Sequence, residues 1–487
     1  MKLVELAAAL PGAEISSSGF DTAIARVESD SRRVRPGDLF VTIRGEKSDG
    51  YAHVADAVSR GAAAVVSDRP APEGIAVPWI LSPSPRRALA LLAARLAGEP
   101  ASRLVLAGVT GTNGKTTTAT LLEAILKQRY GRAGFVGTVG YRTGSRSLPA
   151  QRTTPEATVI QQLLAEMVSE GTRAAAMEVS SHALELDRVE GCRFDVAVFT
   201  NLTRDHLDFH GDMEGYYAAK RRLFALRKPG AAGVVNAEDP YGRRLLAEAA
   251  PPMIGFSASG APADVSAEAV TCDLSGIQLD VVHARGRFRL ASPLAGRFNV
   301  SNLLCAAAAG LCLGIEPAQI AAAVREVANV PGRFERVEAG QPYRILVDYA
   351  HTPDALERLL QAVRELTDQK IILVFGCGGD RDRGKRAPMG LIAGRLADIA
   401  IATSDNPRSE SPEAILKEVE AGLKASGATK YLTIADRREA IRQAIELANT
   451  GTVVVVAGKG HETVQIIGSR EIPFDDRQVA AEFAGKA

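Results

Sequence analysis

The fold class this sequence predicts is α/β in three domains, and three observations predict it. First, continuous apolar runs alternate with helical segments: Ala174 to Met177, Asp195 to Phe199, Ile371 to Phe375, Ile399 to Ala402 and Val453 to Val456. Strands without polar alternation are buried on both faces, which means a parallel sheet covered by helices. Second, the run Leu104 to Val109 leads into G-T-N-G-K-T-T at Gly111 to Thr117 and then into helical sequence, a strand–loop–helix unit. Third, Gly98-Glu99-Pro100 and Pro331-Gly332-Arg333 are breaker clusters. They divide the chain into a small N-terminal α/β domain (1–98), a central P-loop parallel-sheet domain (99–330) and a C-terminal Rossmann-like α/β domain (331–487).

In the first block, Asp38 to Ile43 and Ala62 to Val66 read as strands, and Arg87 to Leu96 as a helix. The second block opens on the glycine loop. Its glycines let several N–H groups converge on one anion, and the helix N-terminus adds partial positive charge. Lys115 can reach terminal phosphates and the Thr116 hydroxyl can ligate Mg²⁺. Thr110 to Thr117 are therefore the candidate nucleoside-triphosphate contacts: Thr110, Gly111, Thr112, Asn113, Gly114, Lys115, Thr116 and Thr117. The strict G-x-x-x-x-G-K-[ST] pattern fails at one position, where Val109 replaces the first glycine. The helix continues to Tyr130 with Leu121, Leu122, Ile125 and Leu126 on one face and Gly131 as its stop. Ala157 to Ser169 reads as a helix, Ala261 to Leu290 as a small antiparallel sheet, and Asn302 to Leu313 and Ile320 to Val327 as buried helices.

Composition narrows the class. The 487 residues are 46% hydrophobic and 24% charged with a formal net charge of +1, so no global field favours nucleic acid or a membrane surface. No run of about 18 apolar residues suggests membrane insertion, and Met1 to Glu5 does not begin a signal peptide. The five cysteines, Cys192, Cys272, Cys305, Cys312 and Cys377, have no metal-type spacing. They read as buried thiols in a reducing cytoplasm. A monomer is expected.

Ligands of open α/β sheets bind beyond the carboxyl ends of the strands. Glu178 follows one such strand, where a carboxylate can share Mg²⁺ with Thr116; a helix cap is the other reading. His206, in T-N-L-T-R-D-H-L-D, follows the next strand. The segment Arg152-Thr153-Thr154-Pro155-Glu156 is either a helix cap or an anion or sugar contact. Lys220, in an amphipathic helix, reads on its own as a solvated lysine. In the third block, three strand ends carry Gly376 to Arg381, Asp405-Asn406-Pro407-Arg408 and Gly458 to Glu462. Arg381 and Arg408 suit carboxylates, Asn406 offers an amide, and Glu462 could hold an ammonium. Together they describe a site for a small zwitterion with more than one carboxylate.

These motifs, with M-E-V-S-S-H, T-N-L-T-R-D-H-L-D-F-H-G, G-R-F-N-V-S-N, P-G-R-F-E, D-Y-A-H-T-P-D and G-K-G-H-E, resemble the Mur ligase family of ATP-dependent amide-forming enzymes of peptidoglycan synthesis. The resemblance covers essentially the whole chain, and the departure at Val109 is usual for the family. D-N-P-R at Asp405 to Arg408 resembles the branch that adds meso-2,6-diaminopimelate, rather than L-lysine, as the third amino acid.

The resemblance implies an enzyme that joins the amino acid to the D-Glu carboxylate of UDP-N-acetylmuramoyl-L-alanyl-D-glutamate while ATP becomes ADP and phosphate. It implies that the first block holds the UDP moiety, with Ser31 as a contact. Thr153, Thr154, Ser180 and Arg188 fall at other substrate positions, and Asn302, Arg333 and Asp348 at nucleotide-side positions. Arg381, Asp405, Asn406, Pro407, Arg408, Gly458 and Glu462 fall at diaminopimelate positions. Lys220 matches the family's carbamylated lysine, which reverses its solvated reading. With Thr116, Glu178 and His206 it would hold Mg²⁺, two ions in all. Lys115, Glu178, His206 and Lys220 are thus the expected catalytic set. A lysine-adding ligase is the nearer rival; folylpolyglutamate synthetase, which shares the phosphate loop, is the more distant one.

Overall fold

The computed structural model describes residues 1–12, 14–15, 21–45 and 48–485. The chain divides into two compact units, 1–268 with 281–288 and 301–324, and 269–280 with 289–300 and 325–487.

The first unit begins with a five-stranded sheet in the order Glu14–Ile15, Trp79–Leu81, Ala64–Ser67, Asp38–Val41, Arg26–Glu28. The last four strands are parallel. Alternation along them serves two faces. Leu39, Val41, Val66 and Ile80 meet Leu89 and Leu92 of the helix Pro85–Leu96. Phe40, Val65 and Trp79 meet Val54 and Ala57 on the other face. The helix starts where expected: the Ser84 side chain accepts from the Arg87 N–H, and Pro85 fits the first turn, where no donor is needed.

The central sheet of this unit runs in the order Met253–Ser257, Arg227–Asn236, Phe194–Phe199, Val105–Thr110, Ala174–Glu178, Ala133–Gly137. All six strands are parallel. Two short antiparallel strands, Gly140–Arg142 and Ser147–Leu148, extend it. Val105–Thr110 lies in the middle, and its chain continues through the helix Lys115–Tyr130 to Ala133–Gly137, two positions away. Register sets Val109 beside Glu178 and Thr110 beside Phe199. The loops after three adjacent strands therefore open at one level. The stretch 261–290 extends this sheet. Its first strand, Val265–Asp273, pairs in parallel with Phe256 and Ser257, and the next two, Gly276–His283 and Gly286–Ser292, follow it in the same sheet order.

The second unit holds a six-stranded sheet in the order Glu335–Arg336, Arg344–Asp348, Thr452–Ala457, Lys370–Cys377, Ile399–Ser404, Tyr431–Ile434. All but the first strand are parallel. Leu346, Leu373 and Val455 pack to one side with Leu356, Leu360 and Val419. Val347, Val374 and Val456 pack to the other with Ile441 and Val479. Apolar cover on both faces is why these strands read as unbroken hydrophobic runs. A hairpin, Val464–Ile467 with Arg470–Pro473, stands apart as a second sheet.

Three of the cysteines, Cys192, Cys305 and Cys377, are buried. Cys272 and Cys312 are only partly buried, a correction to the reading of five buried thiols. Among the described residues no helix is long and apolar enough to cross a membrane.

Candidate active site

The loop after Val105–Thr110 bends through Gly111 (φ 148°) and Gly114 (φ 82°), backbone angles that favour glycine. A Cβ at Gly111 would collide with Thr200 Oγ1, and one at Gly114 with Asn302 Oδ1. Asn302, on the helix Phe298–Cys312, thereby stands directly against the loop, and its Oδ1 accepts from Thr118 Oγ1 at 3.4 Å. The loop is also tied to the next strand end. Thr200 Oγ1 donates to Asn113 O at 2.6 Å, and the Thr112 N–H donates to Asn201 O at 2.8 Å. Lys115 folds back, its Nζ donating to the carbonyls of Gly111 and Thr112 at 2.9 Å each.

Glu178 is fully buried at the end of its strand. Its Oε2 accepts from Thr116 Oγ1 at 2.9 Å and from Thr138 Oγ1 at 3.1 Å, and its Oε1 from the Thr138 N–H at 2.8 Å. The carboxylate is held by neutral donors, with no lysine or arginine bridging to it among the described residues. A buried anion with hydroxyl neighbours is a fitting donor set for a hard divalent cation. Among the described residues, no cluster of three or more His, Cys, Asp or Glu side chains forms a ready-made metal site.

Lys220 corrects its stand-alone reading as a solvated residue. On the helix Met213–Ala225 it is 1% exposed, with Nζ donating to Gly111 O at 2.8 Å and lying 4.5 Å from the Tyr216 ring centre. Burial, with Lys115 nearby, drives its amine well below the usual lysine range, opposed only by Asp205. Burial thus favours the uncharged amine over the ammonium at this position.

His206 is half-exposed and takes a left-handed backbone (φ 51°) as the cap residue of the short helix Leu207–His210. Its ring lies 4.7 Å from that of His182, which in turn is 5.6 Å from His210. Burial lowers all three imidazoles, His182 to about 4, so near neutrality they carry lone pairs rather than charge. Tyr216 closes this cluster, its OH 3.2 Å from Thr112 Oγ1.

Thr153 and Thr154 reach the same strand end. Thr153 Oγ1 is 3.0 Å from Thr138 Oγ1, and Thr154 Oγ1 donates to Glu178 O at 2.7 Å while accepting from the Ser180 N–H at 3.0 Å. Ser180 caps the helix Ser181–Glu185. Arg188, largely buried, bridges to Glu156 at 3.0 Å and donates to Thr154 O at 3.2 Å. Ser31 is buried beside Asp56, its hydroxyl bonded to that carboxylate. It lines a cavity of about 950 Å³ that also carries Arg26, Arg32, Arg33, Arg86 and Arg152.

In the second unit, the three loops of the zwitterion site converge. Asn406 Nδ2 donates to Glu462 Oε2 at 3.0 Å. Arg408, in a left-handed conformation (φ 53°), donates from Nη1 to Gly379 O at 2.8 Å. Pro407 and Gly458 (φ 118°) shape the loops, and burial raises the Asp405 carboxyl. Arg381 is exposed and, among the described residues, donates to its neighbour's carbonyl, Asp380 O, at 3.1 Å. Asp348 is bound by backbone donors, Phe334 N–H at 2.7 Å and Ala350 N–H at 2.8 Å, and the Arg333 guanidinium lies 4.9 Å from the Tyr349 ring centre.

Sequence reasoning passed over Thr138, Tyr216, Lys459 and Arg386. The strand-end rule would have found Thr138, directly after Ala133–Gly137, and Lys459 lay inside the quoted G-K-G-H-E. Arg386 carries no sequence signal. It is wholly buried and bonds Glu410 at 2.8 Å and Glu418 at 3.1 Å. Glu410, pulled down to about 2 by that guanidinium, accepts the Asp380 N–H and so braces the Gly376 to Arg381 loop.

Comparison with known proteins gives the family. The chain matches the Mur ligase family, catalytic domain over residues 23–96, the Mur ligase middle domain over 109–310, and the Mur ligase, glutamate ligase domain over 332–460. It is 48% identical to the UDP-N-acetylmuramoyl-L-alanyl-D-glutamate--2,6-diaminopimelate ligase of Geobacillus kaustophilus, covering 99% of this chain and 98% of that one. The protein of the same name from Geobacter metallireducens is 44% identical over 99% and 98%. A solved structure of a ligase of that name superposes with a TM-score of 0.73 at 34% identity, covering 100% and 99%. A Mycobacterium tuberculosis folylpolyglutamate synthase complexed with ADP shares the fold, with a TM-score of 0.61 at 19% identity over 75% of this chain and 90% of that one. The chain belongs to the Mur ligase family.

Proposed function

We propose that this chain is an ATP-dependent ligase that adds meso-2,6-diaminopimelate to UDP-N-acetylmuramoyl-L-alanyl-D-glutamate, releasing ADP and phosphate. One observation carries the reading. A phosphate loop, the Thr116–Glu178 hydroxyl–carboxylate pair and the buried Lys220 amine share one cluster of strand ends, in a chain whose full-length relatives bear that name. In this reading 1–98 presents the UDP end of the substrate, 99–330 holds ATP, and 331–487 holds the amino acid.

The chemistry follows from the groups present. A carboxylate is a poor electrophile, so the D-Glu carboxylate attacks the γ-phosphorus of ATP and ADP departs, leaving an acyl phosphate. Lys115 and the loop N–H groups spread the charge of the transferring phosphoryl. Thr116, Glu178 and His206 are suited to hold Mg²⁺, which when bound would neutralise the approaching anions. The Lys220 amine, in its uncharged form, can add CO₂, releasing one proton and becoming a carbamate that would supply a further oxygen ligand. The amine of diaminopimelate then attacks the acyl carbon, and the tetrahedral intermediate expels phosphate. The cavity around Ser31, with its five arginines, suits a nucleotide diphosphate.

The test is phosphate release by the purified protein with ATP, Mg²⁺ and UDP-N-acetylmuramoyl-L-alanyl-D-glutamate, with either meso-diaminopimelate or L-lysine. Release that depends on diaminopimelate and not on lysine is the expected result. Lysine-dependent release, or release with folate and glutamate instead, would sink the reading.

A further inference from the structure

Among the described residues, Lys459 is one of two lysines whose side chains are withdrawn from solvent, and nothing in the proposed chemistry uses it. Its side chain is 0% exposed. Its Nζ donates to Asn406 Oδ1 at 3.1 Å and to Glu462 Oε2 at 3.0 Å, and stands 3.8 Å from Asp405 Oδ1. An ammonium is withdrawn from water only where acceptors replace its hydration, and here both acceptors and the nearby Asp405 carboxylate belong to the amino-acid loops.

The consequence falls on Asn406. A carboxamide can present either its oxygen or its nitrogen, and only its partners decide which. Oδ1 of Asn406 accepts from Lys459 Nζ and from the Ile466 N–H at 3.0 Å. Both of its lone pairs are thereby occupied by donors. Nδ2 must then point the other way, with one N–H on Glu462 Oε2 and a second still to give. Glu462 is likewise fixed by one oxygen: Oε2 takes both Lys459 and Asn406, while Oε1 carries no hydrogen bond among the described residues.

We propose that Lys459 is a positioning residue for amino-acid selection. It locks Asn406 with a donor outward and Glu462 with one carboxylate oxygen outward. The loops then show an N–H beside the Arg408 guanidinium for a substrate carboxylate, and a carboxylate oxygen for a substrate ammonium. That is the complement of one zwitterionic end of a diamino dicarboxylic acid. Without the ammonium, Asn406 Oδ1 keeps the Ile466 N–H but loses its charged donor, Glu462 Oε2 keeps only Asn406, and the hold on both side chains loosens.

The inference rests on the diaminopimelate reading, and the experiment separates the two. Kinetics are measured for the wild type, Lys459→Met and Lys459→Gln, varying each of the three substrates in turn, with thermal melting of each protein. If the wild type shows no diaminopimelate-dependent turnover, the functional reading fails first. Given that turnover, Lys459→Met raises the KM for diaminopimelate at least tenfold and leaves the KM for ATP and for the UDP substrate within about twofold. Lys459→Gln, which keeps an N–H donor for Asn406, recovers part of the loss. An unchanged diaminopimelate KM in Lys459→Met overturns the proposal. So does a loss spread equally over all three substrates, or a Lys459→Gln variant no better than Lys459→Met, because each marks a structural role alone.

Discussion

The Nζ of Lys220 lies 2.8 Å from the carbonyl oxygen of Gly111, so a lysine from one helix touches the turn of the phosphate loop. Its amine is held well below the usual value of 10.5, chiefly by burial. A depressed lysine costs stability as pH falls below its unfolded value, because the unfolded chain gains the proton that the folded site refuses. Lys220→Met should therefore melt at a higher temperature than the wild type near pH 7, while losing at least 100-fold in turnover. Lys220→Ala should regain part of its activity with added short carboxylates. Calorimetry and phosphate release check both, and an active alanine variant would remove the carbamate.

Glu178 is tied by Thr116 and by both donors of Thr138. Glu178→Gln keeps the shape but turns an acceptor-only group into one that also donates, and removes the charge. Turnover should fall about 100-fold or more, with the Mg²⁺ dependence displaced to higher concentration. Chelation of Mg²⁺ should stop phosphate release in the wild type. Unaltered Mg²⁺ dependence in the variant would remove Glu178 from the metal set.

Arg408 occupies a left-handed backbone, which a residue with a Cβ tolerates at a cost of about 1 kcal/mol. Arg408→Gly should relieve that strain and still lose the amino acid. A charge-assisted pair lost from a shielded site costs about 2–5 kcal/mol, so the KM for diaminopimelate should rise at least about 30-fold. Arg408→Ala should do the same without the backbone relief. Normal diaminopimelate kinetics with lysine still rejected would dismiss this residue.

Arg437 and Asp476 form a bidentate pair at 2.8 and 2.6 Å, both side chains wholly buried. Arg437 also donates to Ala457 O at 3.0 Å, at the strand end that leads to the Gly458 loop. Asp476→Asn should destabilise the second unit by about 3–5 kcal/mol, since it leaves a guanidinium without its counter-charge. Chemical denaturation of the variant measures this, and a loss below about 1 kcal/mol would contradict it.

His182 is pushed to about 4 by burial and by His206 and His210, with Arg188 adding to the push and Asp208 opposing it. Its folded value is depressed, so its contribution is fully present above about 6.5 and is lost as pH falls toward 4. Stability should drop across that window, and His182→Asn should flatten the drop. An equally steep pH profile in the variant would refute the assignment.

Much of this was readable from residue order. The apolar runs at Ile371, Ile399 and Val453 lie in the parallel sheet, because strands covered on both faces cannot alternate. The strand-end rule also picked Glu178 and Asp405 to Arg408. What local sequence could not reveal depends on long-range contact. The helix carrying Lys220 is amphipathic, and only the approach of Gly111 from 109 positions away makes that lysine buried. Val265–Asp273 has strand periodicity, but which sheet accepts it is decided by the free edge of Met253–Ser257. Arg386 and Arg437 are invisible for the same reason, since their acceptors lie 24 and 39 residues distant.

The folded-back Lys115 has a further consequence. Because its ammonium already holds the carbonyls of Gly111 and Thr112, a nucleotide entering the loop must exchange hydrogen bonds rather than simply add them. Net affinity is then the difference between two occupied states, and it grows with the charge that the newcomer brings. A monophosphate offers little more than two carbonyls do, whereas the terminal groups of a triphosphate offer several formal charges. The resting contacts of Lys115 thus weigh more against a weakly charged anion than against a triphosphate.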